Sequence, residues 1–372
     1  MSENALENKP VVLRLHALFS LQKEFFDADR LFHKEVFWFF IPFGPCTTSI
    51  PKSAIMLAET HFWYTVPDEV QSASLLNQYL ELLSPCEKEH VFRMRGDQLQ
   101  KRALLARALV RTTVARYTNS QVSPRLLKFV KNVFGKPEVE WQHDEEWDPP
   151  SLHFNISHTS SLIACGVTVD TPVIGIDVEE KQRKIKSNVL SFARRYFSSY
   201  EVELLHAISD PEIQRQEFIK LWTLKVVISY CPSSLKPFIS TTPPLSRQLT
   251  SDKEAYVKAL GRGFSAAPFK TFTIRFSSTT YGGQQVYGES NSKAFEIVVE
   301  AVDEPKKCTS NWKFALFELS SSHYAAICTE KDNSIEGKDS GPMKLTAWKT
   351  LPFVEDVCVS GTDVVAAISG LS

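Results

Sequence analysis

The amino-acid sequence predicts a globular protein of the α+β or α/β class, for three reasons. Segments with a strand pattern alternate with segments with a helix pattern along the chain. The composition, with 43% hydrophobic and 23% charged residues, is typical of a globular protein. The length of 372 residues allows a buried core and suggests two or three domains. The formal net charge of −1 indicates no general affinity for nucleic acid or membranes, so a charge-based contact would have to be local.

Five segments define the predicted elements of the first half. Residues 61–66 are rich in β-formers and predict a strand, and residues 71–83 predict a helix that stops before a Ser-Pro pair. Residues 97–117 give the clearest helix, because apolar side chains recur at helical spacing. Two further strands are predicted at residues 153–158 and 162–169.

Basic side chains populate the helix predicted at 97–117. They are Lys101, Arg102, Arg107, Arg111 and Arg116. One interpretation is a solvated helix face, which is the commoner meaning of this pattern. The other is a surface that contacts phosphates or an acidic partner.

The second half is predicted to begin after a turn at residues 170–172. A strand is expected at residues 173–178. The later elements are expected to be helices at 199–208 and 214–224, paired strands within 273–301, and strands at 312–319 and 323–328. Residues 331–372 show no clear pattern and are treated as a C-terminal tail.

Residues 1–57 are predicted to form an N-terminal extension that is either disordered or mis-assigned, with Met56 as an alternative start. Its apolar run at 36–43 is too short for a membrane span, which needs about 20 residues, and comes late for a signal peptide. The seven cysteines contain no C-x-x-C pair, which argues against a disulfide framework and a thiolate zinc site. Together these features predict a cytoplasmic protein, with organelle import still open.

The sharpest chemical feature is the Asp-x-Glu pair formed by Asp177 and Glu179 in a predicted strand. Side chains alternate along a strand, so the two carboxylates point to the same face. A divalent cation relieves their repulsion, and Mg²⁺ typically takes one or two carboxylates together with substrate phosphates. The alternative, which is commoner for an isolated Asp-x-Glu, is an edge strand with solvated acids.

Three other residues could contact phosphate. Ser157 and His158 end a predicted strand, and either side chain can donate to a phosphate oxygen. Lys136 lies between Gly and Pro on a predicted turn and could present a point charge. Each also has a structural interpretation, as a satisfied strand-end residue or an ordinary turn lysine.

A further pair, Glu254 and Lys258, lies four residues apart and therefore on one face of a predicted helix. A surface ion pair is the structural interpretation. The functional interpretation is a metal-binding or basic carboxylate beside a cation that neutralises a leaving phosphate.

Taken in order, these features resemble the Sfp-type 4′-phosphopantetheinyl transferases of the holo-acyl-carrier-protein synthase superfamily. The resemblance covers roughly residues 61–328 and rests on the segments 134–137, 154–158, 175–179, 194–201 and 222–258. The ordered set is specific, although no single segment is. Ser198-x-x-Glu201 within it also fits a helix capping box.

One departure from the family pattern separates Lys225 from Glu254. The family motif is continuous there, whereas residues 226–253 intervene in this chain and contain four prolines. Such a segment is not expected to continue a helix. Its removal restores an uninterrupted family motif, so we interpret it as an in-frame retained intron or a gene-model error.

The resemblance implies the 4′-phosphopantetheinyl transferase fold, an α+β pseudo-dimer of two similar α/β halves. Residues 58–170 and 171–330 would be the halves, with the active site in the cleft between them. It also implies coenzyme A as co-substrate, Mg²⁺ as cofactor, an acidic apo carrier protein as partner, and a monomer. Fatty-acid, polyketide, peptide-synthetase and aminoadipate-reducing carriers all stay open.

The resemblance assigns a role to each candidate residue. The metal ligands would be Asp177, Glu179 and Glu254. The coenzyme A phosphates would be held by Lys136, Ser157 and His158 and, on a looser alignment, by Arg93 and Arg95. Glu254 would take the proton of the carrier serine, and Lys258 would neutralise the departing 3′,5′-ADP.

Two other functions stay open at this stage. If residues 226–253 are part of the protein, the chain would be a catalytically impaired homologue that binds coenzyme A or a carrier. An unrelated Mg²⁺-dependent phosphotransferase is the third hypothesis, although the sequence contains no Walker-type glycine-rich loop.

Overall fold

A computed structural model describes most of the chain between residues 60 and 371. The described residues are 60–119, 121–131, 137–142, 147–169, 173–185, 188–229, 269–278, 295–302, 312–330, 343–368 and 370–371. Several predicted features lie outside them. These are the N-terminal extension, the turn with Lys136, the turn at residues 170–172, residues 230–253 of the intervening segment, and the residues Glu254 and Lys258.

Helices and strands alternate as the sequence pattern predicts. The helices are α1 (Ala73–Leu82), α2 (Pro85–Arg93), α3 (Asp97–Arg116), α4 (Val189–Tyr196), α5 (Ser199–His206) and α6 (Pro211–Ser229), with single 3₁₀ turns at Pro67–Glu69 and Pro124–Leu126. The strands of the first part are β1 (Thr60–Thr65), β2 (Lys128–Lys131), β3 (Pro137–Glu140), β4 (Leu152–His158), β5 (Ile163–Val169) and β6 (Ile174–Glu180). The later strands are β7 (Phe272–Ser278), β8 (Phe295–Ala301), β9 (Trp312–Leu319), β10 (His323–Glu330), β11 (Leu345–Leu351), β12 (Glu355–Cys358) and β13 (Val365–Ala367).

Two larger sheets organise these strands. One has five strands in the order β12-β11-β1-β5-β4, and the other has four in the order β13-β9-β10-β6. Within the five-stranded sheet, β1 pairs with β11 in parallel and with β5 antiparallel. The hairpins β2-β3 and β7-β8 are separate two-stranded sheets. This mixture of helices with mainly antiparallel sheets confirms the α+β class, while the internal pseudo-dimer stays a prediction.

The core has three parts. The two larger sheets pack face to face, and helices cover the outer face of each sheet. One face of the five-stranded sheet, with Trp63 and Cys165, packs against α1–α3. Its other face packs against the four-stranded sheet, where Phe62 meets Phe317 edge to face at 5.3 Å between ring centroids. The outer face of the four-stranded sheet, with Tyr324, packs against α4–α6.

Gly166 of β5 lies at the closest approach of the two sheets. A Cβ atom built there would lie 2.9 Å from Cδ1 of Ile174 and closer still to Cγ2 of Ile176. Ordinary carbon contacts are about 3.5–4.0 Å. The missing side chain therefore lets β6 pack directly over β5.

Strands from the predicted tail belong to both sheets. β11 and β12 extend the five-stranded sheet, and β13 joins the four-stranded one. Trp348 of β11 stacks on Trp63 at 5.2 Å, and Asp356 of β12 accepts a hydrogen bond of 2.8 Å from Arg116. Residues 343–368 are thus integral to the fold, although their sequence predicted no element.

The helix predicted at 97–117 is confirmed as α3, but most of it is buried. Arg107 and Arg111 are only 1% and 3% exposed. Arg111 donates to Glu87 at 2.6 Å, and Arg116 to Asp356. The interpretation of these arginines as a solvated or partner-binding surface is therefore wrong, because they are internal structural cations. Lys101 and Arg102, near the start of α3, are partly exposed.

Among the described cysteines, Cys86, Cys165 and Cys358 are free, and the argument against a disulfide framework stays a prediction. In the described parts of the chain, no helix is both long and apolar enough to cross a membrane.

Candidate active site on strand β6

Strand β6 shows the predicted alternation of buried apolar and acidic side chains. Ile174, Ile176 and Val178 lie in the core between the sheets. Asp177 and Glu179 lie on the opposite face, beside Ala326 and Tyr324 of β10 in the strand register. That face is covered by α6, because β10 and β6 both contact this helix. The strand is an edge strand, as the alternative interpretation proposed, but its acids are not solvated.

Asp177 is a buried acid with one unused oxygen. It is 8% exposed. Its Oδ1 accepts a hydrogen bond of 2.9 Å from the Ser157 hydroxyl, and its Oδ2 is buried with no hydrogen-bond partner. Burial, and then the neighbouring Glu179, raise the pKa of Asp177 well above its usual value, and the Ser157 hydrogen bond opposes this shift.

Glu179 is also largely buried but has cationic and hydrogen-bonding partners. It forms an ion pair with Arg183. Burial raises its pKa, while Arg183 and a hydrogen bond from the Trp222 side chain act in the opposite direction. Arg183 is a cation close to both carboxylates, yet both pKa values are still raised, so further positive charge would stabilise this pair.

This pair fits a divalent cation. Mg²⁺ is commonly bound through one or two carboxylates plus substrate phosphates, and the unpartnered Oδ2 of Asp177 offers a free ligand atom. Among the described residues, no cluster of three or more His, Cys, Asp or Glu side chains is placed to hold a metal. The third predicted ligand, Glu254, lies outside these residues.

The end of β4 meets β6 beside the acids. The Ser157 hydroxyl, besides donating to Asp177, accepts the Val178 N–H at 3.2 Å. Asn155, two residues earlier, accepts the Ile176 N–H at 2.9 Å. The sequence missed Asn155, whose only signal was its alternation with Ser157 on the same face of the strand.

His158 follows at the end of β4. Burial and the nearby Arg102 lower its pKa, which favours the neutral imidazole. Arg102 donates to the Ser160 carbonyl at 3.2 Å, so the start of α3 is held against the turn after β4. His158 alternates with Ser157 along β4 and pairs with Ile163, so its side chain lies on the face of the sheet that packs against α3. Its phosphate-binding role stays a prediction.

The turn after β4 is also tied to the other sheet. Nε2 of His323, in β10, lies 3.0 Å from the Thr159 hydroxyl and 3.1 Å from the Ser161 hydroxyl. Ser161 donates to Glu180 at 2.8 Å. These four polar residues hold together the strand ends that carry His158 and Glu179, and no sequence pattern indicated them.

Arg93 and Arg95 are the least constrained of the predicted phosphate contacts. Arg93 ends α2, with a side chain that is 64% exposed and paired with Glu89 one turn earlier. Arg95 is exposed in the turn before α3. Gln100 holds this turn by donating to the Met94 carbonyl at 3.0 Å. Both arginines are thus exposed at the surface before α3, and their role as phosphate contacts stays a prediction.

Two protein-family models match this chain. The model described as "4'-phosphopantetheinyl transferase, N-terminal" matches residues 70–168, and the model of the "4'-phosphopantetheinyl transferase superfamily" matches residues 173–225. The chain is therefore similar to the 4′-phosphopantetheinyl transferase superfamily over these two segments. The predicted resemblance and the transferase class are thereby confirmed.

Curated relatives in this superfamily agree at modest identity. The 4′-phosphopantetheinyl transferase Sfp of Bacillus subtilis is 28% identical over 198 residues, covering 53% of this chain and 68% of the relative. HetI of Nostoc is 29% identical over 175 residues, covering 47% and 69%. A putative 4′-phosphopantetheinyl transferase of Synechocystis is 24% identical over 290 residues, covering 76% and 92%.

The superfamily match ends at residue 225, within helix α6. The prediction that the helix stops there is wrong, because α6 continues to Ser229. Val226, Val227 and Ile228 are all buried and have helix-compatible apolar side chains. The prolines that argued against a helix begin only after these residues.

Contacts with β10 show the direction in which α6 crosses β6. Gln216 accepts from Tyr324, which pairs with Glu179, and the Val227 carbonyl lies 3.6 Å from Cys328, which pairs with Gly175. The helix therefore runs from Glu179 past Asp177 toward Gly175. Trp222, which hydrogen-bonds to Glu179, and Val226, one turn later, lie on the same face of this helix.

Lys225 has a structural role that the transferase motif did not suggest. It is fully buried and forms a 2.8 Å ion pair with the equally buried Glu201. Its ammonium also donates to the carbonyls of Phe269 and Phe272, at 2.6 Å each. Glu201 completes the predicted capping box with Ser198. The box is confirmed, but the ion pair that joins α5 to α6 was missed because a cap pattern says nothing of distant partners.

Proposed function

We propose that this chain, once residues 226–253 are absent, transfers 4′-phosphopantetheine from coenzyme A to a serine of an apo carrier protein, in a Mg²⁺-dependent reaction that releases 3′,5′-ADP. The observation that carries the proposal is the buried Asp177 with its unpartnered Oδ2 beside Glu179. Two buried acids on one strand face suit a cation that binds a diphosphate. The similarity to the 4′-phosphopantetheinyl transferases supports the reaction class.

Asp177, Glu179 and Glu254 would hold the cation, which when bound offsets negative charge on the pyrophosphate. Lys136, Arg93 and Arg95 would contact the coenzyme A phosphates as cations, and His158 would do so as a neutral N–H donor. The remaining contribution of the protein is positioning and electrostatics, as in phosphoryl transfer generally.

The chemical step would use residues outside the described part of the chain. The carrier serine oxygen forms a bond to the β-phosphorus, and its proton passes to Glu254. The bond from that phosphorus to the bridging oxygen breaks, and the charge left on 3′,5′-ADP is neutralised by Lys258. An acidic carrier protein would approach this end of β6, and the enzyme would act as a monomer.

The segment 226–253 decides whether the chain is active. Removing it would join Glu254 directly to Lys225, at the position that Val226 now occupies in α6, the helix that covers the acidic face of β6. Lys258 would then follow on the same face one turn later. With the segment present, the apolar Val226 holds this position, which favours the second candidate: a homologue that binds coenzyme A or a carrier without turnover.

One experiment tests both candidates. The chain with and without residues 226–253 is incubated with coenzyme A, Mg²⁺ and an apo carrier, and the carrier is weighed by intact-protein mass spectrometry. We expect a mass gain of one phosphopantetheine with the shortened chain, and coenzyme A binding without transfer with the full chain. Transfer by neither chain would contradict the proposed function, and transfer from a nucleoside triphosphate would support the phosphotransferase hypothesis instead.

A further inference from the structure

Strands β4 and β6 lie side by side without sharing a backbone ladder. Each is the edge strand of a different sheet. β4 pairs by its backbone with β5, and β6 with β10. The N–H groups of β6 that face β4 are buried, and a buried N–H without a partner is costly. Something other than a strand carbonyl must therefore accept them.

Two side chains of β4 accept these N–H groups. Asn155 Oδ1 accepts the Ile176 N–H at 2.9 Å, and Ser157 Oγ accepts the Val178 N–H at 3.2 Å. The two acceptors are two residues apart on β4, and their partners are two residues apart on β6. The spacing matches, so the pair sets the register of β6 against β4. Asn155 and Ser157 are themselves 3% and 8% exposed.

Ser157 also orients Asp177, which lies between Ile176 and Val178 on β6. Its hydroxyl has one proton to donate, and that proton points to Asp177 Oδ1 at 2.9 Å. With Oδ1 held in this way, the carboxylate cannot rotate freely and Oδ2 is the oxygen left without a partner. Since the single proton is already used, Ser157 has none left to donate to a phosphate.

We propose that Asn155 and Ser157 are positioning residues for the cation site, which align β6 and fix the Asp177 carboxylate so that Oδ2 is presented to the metal. This rests on the proposed function, and it changes the role of Ser157 from a coenzyme A contact to a support of a metal ligand. Partners that orient a ligand in this way typically account for about 10- to 100-fold in metal affinity or activity.

Binding of Mn²⁺ to the full chain, followed by electron paramagnetic resonance, provides a readout that needs no turnover. Ser157→Ala should weaken Mn²⁺ binding about 10- to 100-fold, and Ser157→Thr, which keeps the hydroxyl, should restore most of it. Coenzyme A binding in the presence of EDTA should be unchanged in both. Ser72→Ala is the matched control, because Ser72 also accepts a backbone N–H, from Leu75 in α1, but lies far from the acids in the fold.

The outcomes separate the two possible roles of Ser157. Equal Mn²⁺ affinity in Ser157→Ala and the unsubstituted chain would overturn the positioning role. A loss of coenzyme A binding in EDTA as large as the loss of Mn²⁺ binding would also overturn it, because it would indicate a phosphate contact. If Ser157→Ala does not fold, Ser157→Cys, a weak donor of similar shape, is measured in its place with the same expectation. No Mn²⁺ binding by the unsubstituted chain would overturn the inference and the metal site together, whereas a failed carrier mass gain with normal Mn²⁺ results would count against the proposed transfer alone.

Discussion

Replacing Gly166 by alanine should destabilise the protein through one specific contact. The added Cβ would lie 2.9 Å from Ile174 Cδ1 and nearer to Ile176 Cγ2, which is at least about 0.6 Å inside an ordinary carbon contact of 3.5–4.0 Å. Both isoleucines are buried between the sheets, so neither can turn away into solvent. Overpacking of this kind costs about 1–3 kcal/mol. At about 2–4 °C per kcal/mol for a protein of this class, the melting temperature should fall by several degrees.

Two further variants isolate the cause of that loss. Gly370→Ala is the control, because a Cβ at Gly370 meets nothing within 4 Å, and it should melt like the unsubstituted chain. Adding Ile176→Leu to Gly166→Ala removes the branch nearest the new methyl group and should recover part of the stability. Differential scanning calorimetry measures all three. If Gly166→Ala melts at the same temperature as Gly370→Ala, the packing argument is refuted.

The other predictions concern buried charge and titration. Lys225→Met should lower the free energy of unfolding by about 3–5 kcal/mol, because Glu201 is left buried without its cation. Adding Glu201→Gln should recover much of this loss, as measured by urea titration. Equal stability of the single and double variants would contradict the pairing. Burial raises the pKa of Tyr79 and Tyr117 above the usual 10.0, so above about pH 10 the folded state keeps protons that the unfolded state loses. The free energy of unfolding should therefore decline as the pH rises above about 10. This decline should be less steep in Tyr79→Phe. Asp177→Asn should leave the melting temperature equal or higher, because the burial that raises its pKa penalises a charged side chain; a clear loss of stability would argue against that reasoning.

Much of the local structure followed from the sequence, because it depends on near neighbours. The alternation in β6 placed Asp177 and Glu179 on one face, and the periodicity of residues 97–117 matched α3. The capping box at Ser198 and Glu201 was likewise a local signal. In each case the pattern and the structure are set within a few residues.

Long-range pairings explain what the sequence did not predict. The charge of Arg111 suggested a surface, but its partner Glu87 lies on another helix and makes burial tolerable. β11 pairs in parallel with β1, nearly 300 residues earlier in the chain by register, and such a pairing leaves no local pattern. The prediction that the helix ends at Lys225 is wrong. The apolar residues through Ile228 continue the buried face of α6, and the prolines begin only after them.

The central claim is that the acid pair on β6 binds the cation that drives phosphopantetheine transfer. The most direct test compares the chain lacking residues 226–253 with its Asp177→Asn variant, by intact mass of an apo carrier after incubation with coenzyme A and Mg²⁺. We predict complete modification of the carrier by the first protein and none by the second, although both melt at similar temperatures. Equal modification by the two proteins would contradict the claim.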